Sequence, residues 1–296
     1  MRNQYKVKGK LFNIAFLSPA FLVYTIFMII PIVFSFYYSL NKWDGIGPKK
    51  FVGLKNFIRM FSNSQYLTVT SNTLTLVLLS LLITLPVSLC LAYLLYRCKH
   101  GFKFFRLAIF MPVIISAMIV GLIFSILFNA DFGPVNQILK DIGLPQLAKV
   151  WLTDPEIVLY SVIAPQIWQN VGYYTIIFLA GLQSVPESIL ESARIDGANS
   201  FRVFFNIMLP SITEISKIVI VLIVTGALKS FNFSWAMTNG GPGVKSTFFT
   251  VYMYKRAFEE SNFGMASAVS VVVLAYALVF TVIFNWLYAY LNRDRI

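Results

Sequence analysis

Residues Glu191-Ser192-Ala193-Arg194-Ile195-Asp196-Gly197, continued to Ile207-Met208-Leu209-Pro210, form a moderately polar insert between long apolar segments. Ser184, followed three residues later by Glu187, has the form of a capping box, with Pro186 in the first turn where its missing N–H does no harm. The pattern predicts a short helix of about three turns beginning near Val185. On it Glu187, Glu191 and Arg194, spaced by four and three, share one face. Val185, Ile189 and Ala193 share another, with Leu190 beside them. Gly197 takes a left-handed conformation at no steric cost and ends the helix. Asn199 or Ser200 caps a second short helix from Phe201 to about Met208, and Pro210 is expected to stop it. Two short helices joined by a glycine elbow make a compact knob over residues 186–210.

Around this knob the chain reads as membrane. Of 296 residues, 58% are hydrophobic and only 12% charged, with a mean hydropathy of +0.74. That lies outside soluble-domain usage and inside the polytopic membrane class. A net charge of +12 invites a nucleic-acid partner. The basic residues instead flank apolar runs, as the positive-inside rule requires, and no nucleic acid is expected.

Six runs are each long enough to cross about 30 Å of hydrocarbon, which takes roughly 20 helical residues. They cover about residues 11–40, 66–96, 107–130, 157–185, 212–237 and 264–291. Pro19 and Pro31 lie in the first, and Pro86 is a candidate bend in the second. A surface helix is expected at Leu54 to Phe61 in the connection 41–65. The fold expected is therefore all-α: a polytopic membrane protein of six transmembrane helices with a helix-turn-helix loop between spans four and five. No internal repeat or low-complexity tract divides it, so residues 1–296 are read as one domain.

Orientation follows the basic residues. The N-terminus (Arg2, Lys6, Lys8, Lys10), the segment Arg97 to Arg106, the knob, and Arg293 with Arg295 fall on one side, which is then the cytoplasm. The connection 41–65 runs against this, with five basic residues and one acid placed outside. The N-terminal apolar stretch lacks a small-residue cleavage site after a short core and is read as a retained helix rather than a signal peptide.

Nothing in the chain reads as catalytic. His100 has no carboxylates or cysteines near it in the basic turn, and no metal site is expected. Cys90 and Cys98, eight residues apart at one apolar run, indicate neither a disulfide framework nor a metal site. Gly240-Gly241-Pro242-Gly243-Val244-Lys245-Ser246-Thr247 imitates a phosphate loop, but Val244 separates the glycine from the lysine and the flanks are membrane helices. The central portions of the runs hold no Asp or Glu, which disfavours an ion-coupled secondary transporter.

The spacing Glu-Ser-Ala, three residues, Gly197, nine residues, Ile207, one residue, Leu209-Pro210 resembles the cytoplasmic signature loop of binding-protein-dependent ABC importer permeases. Ser192 stands where that family usually has Ala. An amphipathic connector between two spans is the plainer reading of the same residues. The family resemblance implies that the loop is a coupling helix seated in a cleft of the ATPase subunit. Glu187, Glu191, Ser192, Ala193, Arg194, Asp196, Gly197, Ile207, Leu209 and Pro210 would then make or shape that contact.

A second set of residues is similar to the carbohydrate-uptake branch, the maltose and oligosaccharide type. It comprises Thr238-Asn239-Gly240-Gly241-Pro242, Tyr252, Ala257-Phe258 and Phe263-Gly264-Met265-Ala266. Phe51-Val52-Gly53-Leu54-Lys55-Asn56 with Asn72-Thr73 belongs to it too. Asn239 departs from the usual Gly, and Asn tolerates positive φ nearly as well. The branch implies a second homologous permease, two ATP-binding cassette subunits and an extracytoplasmic sugar-binding protein. ATP and Mg would sit on the partner ATPase, with no cofactor on this chain. It also implies a prokaryotic cytoplasmic membrane, with lipid around the chain and both termini inside. A glycerophosphodiester or other non-sugar solute is the alternative cargo.

Polar and aromatic residues inside the runs are the candidate path, because lipid burial is costly for them. In the fourth run these are Asn170, Tyr173 and Tyr174, near Gln166, Trp168 and Gln169. In the fifth they are Lys229, Asn232 and Trp235, beside Phe231. Interhelical hydrogen bonds or an interfacial aromatic belt would use the same residue types.

Overall fold

The computed structural model describes residues 16–291. The basic residues Arg2, Lys6, Lys8 and Lys10, the start of the first run at 11–15, and Arg293 with Arg295 lie outside the described residues. In chain order the helices begin with α1 (Phe16–Ser39), α2 (Lys55–Phe61), α3 (Ser64–Arg97), α4 (Phe102–Ile114) and α5 (Ala117–Leu127). Next come α6 (Pro134–Asp141), α7 (Val158–Gln183), α8 (Glu187–Ile195) and α9 (200–211). The last are α10 (Thr213–Leu228), α11 (Asn232–Thr238), α12 (249–259) and α13 (Phe263–Leu291). The described residues fall into two compact units: 16–62 with Met253–Ala275, and Asn63–Tyr252 with 276–291.

In the first unit, two short antiparallel strands, β1 (Asn41–Lys42) and β2 (Lys50–Phe51), follow α1, with Asn41 opposite Phe51. Two-residue strands carry no periodicity, so the hairpin is invisible in the sequence. The Asp44 carboxylate at its turn accepts the N–H groups of Gly47 and Ile46 at 2.7 and 3.1 Å, which hold its pKa below the ordinary carboxylate value. The buried Asn56 amide of α2 donates to the carbonyls of Ser39 (2.8 Å) and Asn41 (2.9 Å), tying α2 to the end of α1. Gly264 at the start of α13 lies so close that a Cβ there would strike the Asn41 carbonyl oxygen.

Among the described residues, four helical segments are long and apolar enough to cross a membrane: α1, α3, Thr213–Thr238 and α13. The pair α4 and α5 makes a fifth only if the two count as one bent span. The third run, expected as a single segment over 107–130, is thus corrected: it is two helices meeting at 91°, and the first begins at Phe102. Pro112 removes a backbone donor from the end of α4, and Ile115 and Ser116 turn extended (ψ 137° and 130°). The carbonyls freed at this break are met by α7. Gln169 Nε2 donates to Pro112 O at 3.0 Å and to Ile115 O at 2.8 Å. Three residues on, Gly172 admits the α4 backbone, since a Cβ would fall on the Ile109 carbonyl oxygen.

α7 has 26 residues, about 39 Å at about 1.5 Å per residue, yet Gln166, Gln169 and Asn170 at its centre make it less apolar than its neighbours. It is also the best-buried of the long helices, with Phe178, Val162, Val158 and Leu182 fully enclosed. In α3 the bend candidate Pro86 follows a wider π turn over Ser80–Thr84, which accommodates the missing N–H.

Candidate functional site

The knob forms as two helices, with two corrections at its ends. Ser184 does not cap α8. Its hydroxyl donates to Gly181 O at 2.7 Å and closes α7, because only three residues separate the two helices. α8 starts at Glu187 with Pro186 at its N-cap and no side-chain cap. Its other end is as expected. Gly197 has φ +81°, its N–H reaches Arg194 O (3.1 Å), and the Ala198 N–H reaches Ala193 O (2.9 Å), a complete Schellman motif. Asn199 Oδ1 then accepts the Arg202 N–H at 2.9 Å and caps α9.

Pro210 does not stop α9, which runs on to Ser211. A π turn over Phe204–Met208 widens the helix just before the proline, so the missing donor causes no break. The chain turns instead at Ile212 (φ −100°, ψ 18°), and the Thr213 hydroxyl donates to Pro210 O.

Glu187, Glu191, Ser192, Arg194, Asp196 and Gly197 are all exposed. Ala193, Ile207 and Leu209 are half-buried and pack against the core, while Pro210 is exposed. Ile189 is exposed, unlike its face-mates Val185 and Ala193, and with Ile195, Phe201 and Phe205 it gives the knob an apolar outer surface. Leu190, Val203, Phe204 and Met208 point inward into one cluster with Ala92 and Leu95 of α3, Phe178 and Leu182 of α7, and Val219 and Ile223 of α10. The knob is thus continuous with the helix core.

That cluster also contains Tyr174, which with Ile223 lines a small cavity of about 80 Å³. The remaining wall is Ser80, Thr84, Gln166, Ile167, Asn170, Gly226 and Ala227. Gln166 Oε1 accepts the Ser230 hydroxyl at 2.6 Å, and Asn170 Nδ2 donates to Gln166 O at 2.8 Å. Of the six path candidates, two (Asn170 and Tyr174) meet here. Tyr173 is exposed and touches the cavity only through its edge contact with Tyr174 (5.2 Å). Lys229 and Asn232 are exposed at the α10–α11 break, and Trp235 stacks on Phe231 at 5.3 Å. Ser80 and Thr84 were not singled out from the sequence. Their signal was a pair of hydroxyls four apart in an apolar run.

The Gly-rich loop is a closed network rather than a phosphate cradle. The N–H groups of Gly240, Gly241, Lys245, Ser246 and Thr247 all donate to carbonyls within residues 234–244. Ser246 and Thr247 are fully buried, and their hydroxyls donate to Gly241 O and Gly240 O, both at 2.8 Å. Asn239 holds φ +50°, the left-handed conformation expected of a glycine substitute there. Asn72 of α3 clamps the loop from outside, donating to the carbonyls of Val244, Lys245 and Thr247 at 2.9 to 3.2 Å.

Apolar helices, a bent fourth-and-fifth helix pair and an exposed Schellman-capped knob define a multi-pass membrane protein of the transporter-permease class. Residues 84–296 match the family described as binding-protein-dependent transport system inner membrane component, and the chain belongs to that family. It is similar to the probable ABC transporter permease protein YurN of Bacillus subtilis, 35% identical over 92% of this chain and 94% of that protein. The diacetylchitobiose uptake system permease protein NgcF of Streptomyces coelicolor is 31% identical over 91% of this chain and 80% of its own length. Among solved structures, a chain of the bacterial alginate ABC transporter in complex with an alginate pentasaccharide-bound periplasmic protein superposes with TM-score 0.83. Identity there is 25%, over 96% of each chain.

Proposed function

We propose that this chain is the permease subunit of an ATP-driven importer and forms half of the translocation path for a sugar or oligosaccharide. An extracytoplasmic binding protein delivers the cargo. A second homologous permease supplies the other half of the path, and two ATP-binding cassette subunits hydrolyse ATP with its Mg. This chain performs no catalysis. The observation that carries the reading is the folded signature: Glu191 to Gly197 end in an exposed elbow whose inner face is continuous with the helix core. The sugar cargo is supported by the diacetylchitobiose and alginate systems to which the chain is similar.

In this reading the single domain crosses the membrane six times, through α1, α3, the α4–α5 pair, α7, Thr213–Thr238 and α13. α7 supplies the sixth crossing, its polar centre turned to a path rather than to lipid. Both termini and the knob are cytoplasmic. Movement of the knob reaches the cavity wall through Tyr174 and Ile223, which belong both to the core cluster the knob enters and to that wall.

Two measurements test this. Asn170→Leu, Tyr173→Ala and Asn232→Leu are expected to lower sugar uptake while the assembled complex still hydrolyses ATP, with Asn170→Leu the strongest because it lines the cavity. Full transport in all three would move the path elsewhere. Lys103→Cys and Asp141→Cys, in a Cys90→Ser/Cys98→Ser background, report orientation, since both positions are exposed on the protein itself. An impermeant outside reagent is expected to label position 141 and spare 103; the reverse pattern ends the orientation argument.

A further inference from the structure

The connection 41–65 carries Lys42, Lys49, Lys50, Lys55 and Arg59 against Asp44 alone, a balance that the positive-inside rule leaves unexplained. The fold gives these residues a setting. Tyr37 and Tyr38 close α1, and Trp43 packs on Tyr38 with centroids 4.4 Å apart. The Lys49 ammonium lies 5.0 Å from the ring centres of both Tyr38 and Trp43 and 5.8 Å from Tyr37. Tyrosine and tryptophan at the end of an apolar helix mark the headgroup level of a bilayer. The hairpin and α2 therefore start at that level.

Leu54 at the N-cap of α2, Ile58 and Phe61 recur at i, i+4 and i+7, a single stripe, and are 64%, 64% and 47% exposed. Phe51 of β2 extends the exposed apolar surface at 71%. Asn56 and Met60, on the other side of the helix, are buried. Lys55 and Arg59, also four apart, follow the stripe one residue on, and Lys50 adjoins Phe51. Among the described residues, Lys50, Lys55 and Arg59 have no carboxylate within ion-pair distance. An exposed apolar stripe bordered by cations is the pattern of a helix lying in a bilayer interface, its apolar side against acyl chains and its cations at the phosphates.

We propose that α2 and β2 dock on the bilayer surface and bind the phosphodiester groups of anionic phospholipids through Lys50, Lys55 and Arg59. A protein ligand for the same surface would need no match between the stripe and the aromatic band at the end of α1. The interfacial helix explains both, and it gives the basic connection a role where the orientation rule gives none. Only the choice of leaflet, the outer one, rests on the orientation proposed above.

The test uses the full-length chain in nanodiscs of phosphatidylcholine with and without phosphatidylglycerol. A spin label on Ile58→Cys, in a Cys90→Ser/Cys98→Ser background, is expected to be more accessible to oxygen than to an aqueous nickel chelate. Lys50→Gln/Lys55→Gln/Arg59→Gln keeps side-chain length while removing charge, and its elution on size exclusion reports folding. It is expected to cut the preference for phosphatidylglycerol among co-purifying lipids by roughly fivefold or more, as each basic residue at an anionic surface contributes about fivefold. A label open to water in the bilayer overturns the docking, as does one shielded only when another protein is added. An unchanged phosphatidylglycerol preference in the glutamine variant overturns the headgroup contact. Both readouts are blind to leaflet, so failure of the orientation reading at positions 103 and 141 leaves them separately interpretable.

Discussion

Gly197→Val and Glu191→Arg are each expected to abolish most sugar uptake while the permease is still made and inserted. At φ +81° Gly197 occupies a region that costs an L residue about 1–2 kcal/mol, more for a β-branched one. No atom lies within 4 Å of the position a Cβ would take. The cost is therefore backbone strain alone, and the chain relieves it by leaving the left-handed conformation. That dissolves the Ala198 to Ala193 bond and tilts α8 against α9. Gly197→Ala, with the same φ but less crowding, is expected to lose less. Glu191 is exposed on the outer face, where a carboxylate accepts charge-assisted hydrogen bonds from a basic partner. Arg there sets like charges together. The measurement is uptake in vesicles alongside co-purification of the ATPase with tagged permease. Unmodified transport by both variants would remove the coupling assignment and the main support of the importer reading.

The parts of this molecule that were legible from residues alone are those in which one residue type has one backbone consequence. Gly197 as a left-handed C-terminal elbow, Asn199 as a cap and Asn239 in positive φ are local decisions, and each forms as read. Most helix ends in the apolar runs are similarly local; the third run, which breaks in two and begins at Phe102, is not. What failed to show were choices between rival local partners and decisions made by neighbours distant in sequence. Ser184 satisfied the spacing of a capping box but was claimed by the end of α7. Pro210 looked like a stop, and a π turn two to six residues earlier made room for it. The carbonyls at the right angle between α4 and α5 are met by Gln169, more than fifty residues away, and apolar run length carries no trace of the bend. The candidate path divided for the same reason: Asn170 and Tyr174 meet Ser80, Thr84 and Gly226 only once three helices are packed, while Lys229 and Asn232 stay at a helix break.

Gln169→Leu is expected to be the most destabilising single change in the membrane core. The side chain is 6% exposed, and its Nε2 serves two carbonyls that the α4–α5 break has released from helical bonding. Leucine is similar in size and wholly apolar, so hydropathy alone would count the change as neutral or favourable. The physical cost lies in what remains: two part-buried acceptors at a helix break left without that donor, at about 1–3 kcal/mol each. Hydrocarbon offers no water to replace the amide. A loss of about 2–6 kcal/mol is a large share of the about 5–15 kcal/mol typical of folded proteins. The expected readout is a lower thermal unfolding midpoint in detergent and a smaller monodisperse fraction. Gln169→Glu separates donor chemistry from shape, since an ionised carboxylate of the same length only accepts. It should fall with Gln169→Leu, whereas Gln183→Leu at the exposed end of α7 should behave as the unmodified chain. If Gln169→Leu unfolds at the unmodified temperature, the bend is set by Pro112 and the extended pair Ile115–Ser116 alone. In that case α7 is only a neighbour of the break and does not hold it.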